Sequence, residues 1–118
     1  MQMFDYYFYL WQHTFWDHVS QSIITRTCLG ITKSLDDRKN GYEGHVGHTI
    51  EFSHVWGGPE RPIRALEDQI KTDFDEYLVT GHRGFKYEWI NEEIEIENII
   101  KYLDWEIQNK YIGLTKIK

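Results

Sequence analysis

The chain has little of what staples or breaks a fold: one cysteine, Cys28, and two prolines in 118 residues. A lone thiol excludes an intramolecular disulfide and points to a reducing compartment. Long hydrophobic runs are missing too. The longest stretch without a charge, Tyr6 to Trp16, has eleven residues, roughly half of what a membrane-spanning helix needs. No basic segment leads into it and no small-residue cleavage site follows, so the expectation is a cytoplasmic protein with no membrane contact. Basic charge is also short. Lys and Arg number 13 against 19 Asp and Glu, for a net charge of −6, which argues against a general nucleic-acid coat protein. Aromatic residues, in contrast, make up 16% of the chain. That content disfavours disorder, and the length suits one compact domain that buries about two-thirds of its unfolded surface.

The negative charge is unevenly spread. Residues 23–67 carry six basic side chains, Arg26, Lys33, Arg38, Lys39, Arg61 and Arg64, and six acidic ones. Residues 85–109 carry Lys86 and Lys101 against seven carboxylates. An anion can therefore approach the middle of the chain without meeting the full repulsion of the total, while the acidic run reads as one solvated helix face.

Residues 4–12 are aromatic and β-prone and predict a first strand, with 13–21 as a connection. Residues 22–31 predict a second strand, in which Gly30 suggests a bulge or a close backbone approach. Ser34 is placed to cap a short helix that Asn40-Gly41 ends, followed by a loop through Gly44 and Gly47. Residues 48–56 alternate like a third strand. An apolar stripe of Ile63, Leu66, Ile70, Phe74 and Tyr77 predicts a helix from about Pro62 to Tyr77. A turn around Gly81 and Gly84 and a short strand from Phe85 to Ile90 come next. Asn91 then suits the N-cap of a last, acidic helix. The expected class is α+β: a small three-stranded antiparallel sheet flanked by helices, with a C-terminal acidic helix.

One block carries chemistry. It reads Cys28-Leu29-Gly30-Ile31-Thr32-Lys33-Ser34-Leu35-Asp36-Asp37-Arg38, with Tyr42 one helical turn beyond Arg38. It resembles the second motif of the GIY-YIG nuclease superfamily: Tyr-Ile-Gly, then Ser/Thr, Leu/Ile and Arg at fixed spacings. Tyr7-Phe8-Tyr9-Leu10-Trp11 fits the upstream motif, with Tyr9 in the tyrosine place, and Glu67 takes the place of the family's metal-binding glutamate. Tyr7 stands where the family has its first glycine, and Cys28 where it has the second motif's tyrosine. Eighteen residues separate Tyr9 from Cys28, a longer gap than the family shows. The resemblance covers roughly residues 6–77 and implies a single domain, with 78–118 as a C-terminal extension.

What the resemblance implies is a Mg²⁺- or Mn²⁺-dependent endonuclease that hydrolyses DNA by direct attack of water. Glu67 would hold the metal, and Arg38 would fork two donors onto the phosphate oxygens. Tyr9 would take the water's proton, with Tyr42 and His48 sharing phosphate contact and proton transfer. The small size suits a phage or mobile-element protein, with a second copy or another protein as partner. Two other readings use the same residues. The scaffold has lost catalysis and binds protein or nucleic acid, which Cys28 and the acidic balance favour. Or His48 and Glu51 act as acid and base of a metal-independent ribonuclease. Cys28, His45, His48 and His54 lack the paired spacing of a zinc site. Tyr111-Ile112-Gly113 repeats the motif literally but has no arginine after it, and reads as a tail.

Overall fold

The computed structural model describes residues 4–80 and 86–118. Their order is β1 (Tyr6–Asp17), β2 (Ser22–Thr32), α1 (Leu35–Val46), β3 (His54–Gly58), α2 (Glu60–Asp73), β4 (Leu78–Thr80), β5 (Lys86–Ile90), α3 (Ile96–Lys110) and β6 (Thr115–Lys116). A single 3-10 turn, Asp75–Tyr77, precedes β4. The class is α+β, but the antiparallel sheet has six strands rather than three, in the order β4-β5-β2-β1-β3-β6. The additional strands are β4, β5 and β6, of three, five and two residues. Strands this short show almost no alternation, and only the β5 segment is foreshadowed by its composition. The turn expected around Gly81 and Gly84 lies outside the described residues, as does Phe85. No described helix is long and apolar enough to cross a membrane.

The sheet sorts its side chains by parity. Phe8 and Leu10 point to one face with Leu29, Trp56 and Ile90, where Ile63, Leu66 and Ile70 of α2 and Ile99 and Leu103 of α3 cover them. Tyr7, Tyr9 and Trp11 point to the other with Cys28 and Val55, beneath Leu35, Tyr42 and Val46 of α1 and the buried Ile50 and Phe52. Helices therefore flank both faces. The acidic helix α3 packs its Ile/Leu stripe inward as expected, with one exception. Glu106 is buried, where Gln69 Nε2 donates to it at 2.6 Å and Lys110 Nζ lies 3.2 Å away.

Several boundaries move. The connection expected over 13–21 shrinks to 18–21: β1 and β2 run on as a hairpin in unbroken register from Tyr7↔Thr32 to Asp17↔Ser22, with no bulge at Gly30. The reversal is tight, with Gln21 at φ 54° and the Asp17 carboxylate accepting the Ser20 N–H at 3.0 Å. Helix α1 passes through Gly41 and Gly44 and stops at Gly47, whose φ of 80° suits glycine. Burial of Tyr42 and Val46 against the sheet outweighs the roughly 1 kcal/mol that each internal glycine costs. Strand β3 begins at His54 and includes Gly57 and Gly58 because the space above them is taken. A Cβ at Gly57 would lie 2.6 Å from the Phe4 ring, and one at Gly58 would lie 2.5 Å from Leu114 Cδ2. Helix α3 starts after Glu95 rather than at Asn91, since the Asn91 side chain instead accepts the Glu93 N–H at 2.8 Å in a preceding turn. Helix α2 ends at Asp73, four residues short of Tyr77 in the predicted span.

Candidate functional site

β5 pairs with β2 only at Thr27 and Cys28. Beyond that point, among the described residues, the C-terminal half of β2 has β1 as its sole strand neighbour. The chain leaves β2 through a local lock. The Ser34 N–H donates to Thr32 Oγ1 at 3.1 Å, and that hydroxyl donates to the Ser34 carbonyl at 3.0 Å. Ser34 Oγ accepts the Asp37 N–H at 3.3 Å and caps α1. Leu35 is thereby turned toward the sheet, and Arg38 and Tyr42 follow on one helix face, four residues apart.

Those two side chains meet Tyr9. The Tyr9 and Tyr42 hydroxyls lie 2.7 Å apart, and Arg38 Nη1 donates to the Tyr9 hydroxyl at 3.3 Å. The Cys28 thiol lies 3.5 Å from the Tyr42 hydroxyl. Trp11 completes the backing, its ring 5.0 Å from that of Tyr42, and its buried indole N–H has no hydrogen-bond partner among the described residues. From the other side, α2 buries Ile63, Leu66 and Ile70 and so turns Arg64 and Glu67, three residues apart, along its flank.

Arg38, Tyr42, Arg64 and Glu67 line one cavity of about 710 Å³ at this sheet edge. Lys33 and Asp37 share the lining, so three cations face two carboxylates there while the whole chain carries −6. The Glu67 side chain is only 13% exposed, with Lys71 Nζ at 3.5 Å. Arg64 is held firmly protonated, first by its hydrogen bond to Glu60 and then by the Tyr6 hydroxyl. Tyr9 is fully buried and stands behind the wall rather than in it.

No family model, curated protein or solved structure matches this chain. What can be said of the site therefore comes from its residues. Of the five sequence candidates, Arg38, Tyr42 and Glu67 come together in the cavity, and Tyr9 joins them through hydrogen bonds. His48 does not. It is exposed, with Nδ1 2.9 Å from the Thr49 carbonyl and its ring stacked on His13 at 5.7 Å. Glu51 lies in a separate hollow of about 230 Å³, beside Lys39 and Lys118 at 3.5 Å each. The Lys39 ammonium is the main cause of its lowered carboxyl pKa. Spacing alone missed Tyr6, Lys33 and Arg64 as cavity walls, although Arg64 precedes Glu67 by one helical turn and Lys33 lies inside the motif block.

Among the described residues, no three His, Cys, Asp or Glu side chains gather around a common point. The donor set is one well-shielded carboxylate, Glu67, with Asp37 in the same lining. That set suits a hard ion which keeps most of its waters, as Mg²⁺ does, rather than one needing an all-protein cage.

Proposed function

We propose that this protein is a Mg²⁺- or Mn²⁺-dependent endonuclease that hydrolyses DNA phosphodiester bonds by direct attack of water. One observation carries the proposal: Arg38, Tyr42 and Glu67, drawn from two helices on opposite faces of the sheet, line a single cavity. Phosphodiester hydrolysis needs charge stabilisation on the phosphoryl oxygens, a positioned water and help for the leaving alkoxide. A bound divalent ion supplies Lewis acidity for the last of these, and Glu67 is the residue that would hold it.

Arg38 meets the non-bridging oxygens. Its Nη1 is steadied by Tyr9, so the fork is oriented before substrate arrives. Tyr42 shares the cavity lining, and its hydroxyl would be the hydrogen-bond partner of a phosphate oxygen or the attacking water. Buried Tyr9 holds Tyr42 and Arg38 in register and does not touch substrate, which moves the proton-handling role first considered for Tyr9 to Tyr42. His48, outside the cavity, has no part in this scheme.

The rival reading, a domain that binds without cutting, is favoured by Cys28. It occupies the motif tyrosine's place, is fully buried, and sets a thiol where the family sets a phenol. A plasmid-nicking assay with Mg²⁺ and with EDTA separates the two. Mg²⁺-dependent nicking supports the endonuclease. Retained DNA binding without nicking in Mg²⁺ or Mn²⁺ overturns it in favour of the binding module, and nicking that persists in EDTA overturns the metal dependence.

A further inference from the structure

Arg38, Tyr42 and Glu67 account for one part of the cavity, but its lining also includes Tyr6, Lys33 and Arg64. Arg64 is not a loose surface cation. Its Nε donates to a Glu60 carboxylate oxygen at 2.6 Å, and its Nη2 donates to the Tyr6 hydroxyl at 3.0 Å. The guanidinium carbon lies 5.1 Å from the centre of the Tyr6 ring. Three contacts thus fix the guanidinium plane, while Nη1 carries no hydrogen bond among the described residues. The side chain remains 53% exposed. A guanidinium already oriented, with donors left over, takes a phosphate oxygen at little further entropic cost. Lys33, exposed and in the same lining, adds a mobile ammonium to the planar fork.

The cavity size is consistent with more than one phosphate. About 710 Å³ falls in the range that encloses a drug-sized ligand, far more than a single phosphoryl group fills.

We propose that Arg64 and Lys33 form a second phosphate subsite, which holds a neighbouring phosphate of the same strand whose scissile phosphate lies at Arg38. The identity of that strand rests on the endonuclease proposal. The subsite narrows the substrate class to a polynucleotide, in preference to an isolated phosphodiester.

The test is binding of a fluorescently labelled single-stranded oligothymidylate, followed by anisotropy in EDTA over a range of salt concentrations. Each phosphate neutralised on a single strand contributes about 0.7 to the slope of log K against log salt. Arg64→Ala is expected to lower that slope by about 0.7, and Lys33→Ala to do the same. Arg64→Lys should retain the slope, since it keeps the charge. Arg64→Gln, which keeps a donor within reach of Tyr6, should lose it as Arg64→Ala does, so a folding defect in the alanine variant alone does not decide the result. Unchanged slopes in the neutral variants, or no oligonucleotide binding by the parent chain, overturn the subsite. Cleavage by the parent chain is then measured separately in Mg²⁺. A lowered slope without cleavage leaves the subsite standing and overturns the endonuclease, whereas cleavage with unchanged slopes does the reverse.

Discussion

At the scale of single residues, the proposed mechanism gives Arg38 and Glu67 separable tasks, and substitution should separate them. Glu67→Gln is nearly isosteric but loses the charge that pairs with Lys71, and should abolish Mg²⁺-dependent nicking while the chain stays folded. Arg38→Ala should lower the rate by about 10²–10³. Arg38→Lys keeps the charge but loses the planar fork, and should fall between Arg38→Ala and the unsubstituted chain. Tyr9→Phe should slow turnover less than Tyr42→Phe, since Tyr9 acts through its neighbours. Cleavage rates run beside thermal melts check all five variants, and full activity in folded Glu67→Gln refutes the role given to that carboxylate. The sequence shows Arg38, Tyr42 and Glu67 because motif spacing reports which side of an element a residue occupies. It does not report depth. Tyr9 and Tyr42 look alike in a string of letters, yet only Tyr42 reaches the cavity. Nor does spacing report what a second element brings alongside, which is why Arg64 and Lys33 were not foreseen as partners of Arg38.

At the scale of elements, α1 depends on its first turn. Ser34 accepts the Asp37 N–H, and Thr32 fixes Ser34 in turn. Ser34→Ala should cost about 1 kcal/mol of stability, measured by urea unfolding, and should weaken turnover by loosening the helix that carries Arg38 and Tyr42. This cap was legible in the sequence, whereas the helix end was not. Asn40-Gly41 looks like a stop until one knows that Tyr42 and Val46 have a sheet to bury against. The β1–β2 hairpin carries a pH response. His13 has its pKa lowered below 6.5, first by burial and then by the neighbouring His48. The unfolded chain therefore binds that proton more readily than the folded one. Stability from this group is complete above about pH 6.5 and is lost as the pH falls through 6.5 toward the lower folded value. Burial lowers His54 in the same direction, so His13→Gln should remove only part of the destabilisation seen between pH 7 and pH 5 in thermal melts.

At the scale of the whole molecule, strands distant in sequence close on one another through glycine. β6 pairs with β3 at Trp56↔Lys116 and Gly57↔Thr115. Phe4 and Ile117 both lie above Gly57, and Leu114 lies above Gly58. Gly57→Ala brings a methyl group within 2.6 Å of the Phe4 ring and should cost about 1–3 kcal/mol by overpacking, read as a lower midpoint in urea. Gly57-Gly58-Pro59 in the sequence suggests a break after the strand. The two glycines instead belong to β3, since what excludes larger side chains there arrives from both ends of the described chain. The six-stranded sheet was hidden for the same reason, because strands of two or three residues are defined by what they pair with.

The unequal support along the β1–β2 hairpin has a consequence in time. From Tyr7 to Leu10, β1 is bonded to β3 as well as to β2, and β2 gains β5 at Thr27 and Cys28. Beyond Trp11, from Gln12 to Arg26, the two strands have only each other for ladder bonds among the described residues, and Trp16 and Ile23 near the tip are 52% and 70% exposed. Opening that outer ribbon exposes little new apolar surface, whereas opening the inner half exposes the core. Under native conditions, amide hydrogens of the ribbon should exchange with deuterium early, through local opening, and those at Phe8, Leu10 and Leu29 only as the whole molecule unfolds. The boundary falls at Trp11 and Cys28, directly behind Tyr42. Fraying of the hairpin tip therefore stops one side chain short of the cavity, and the cavity wall keeps the lifetime of the core.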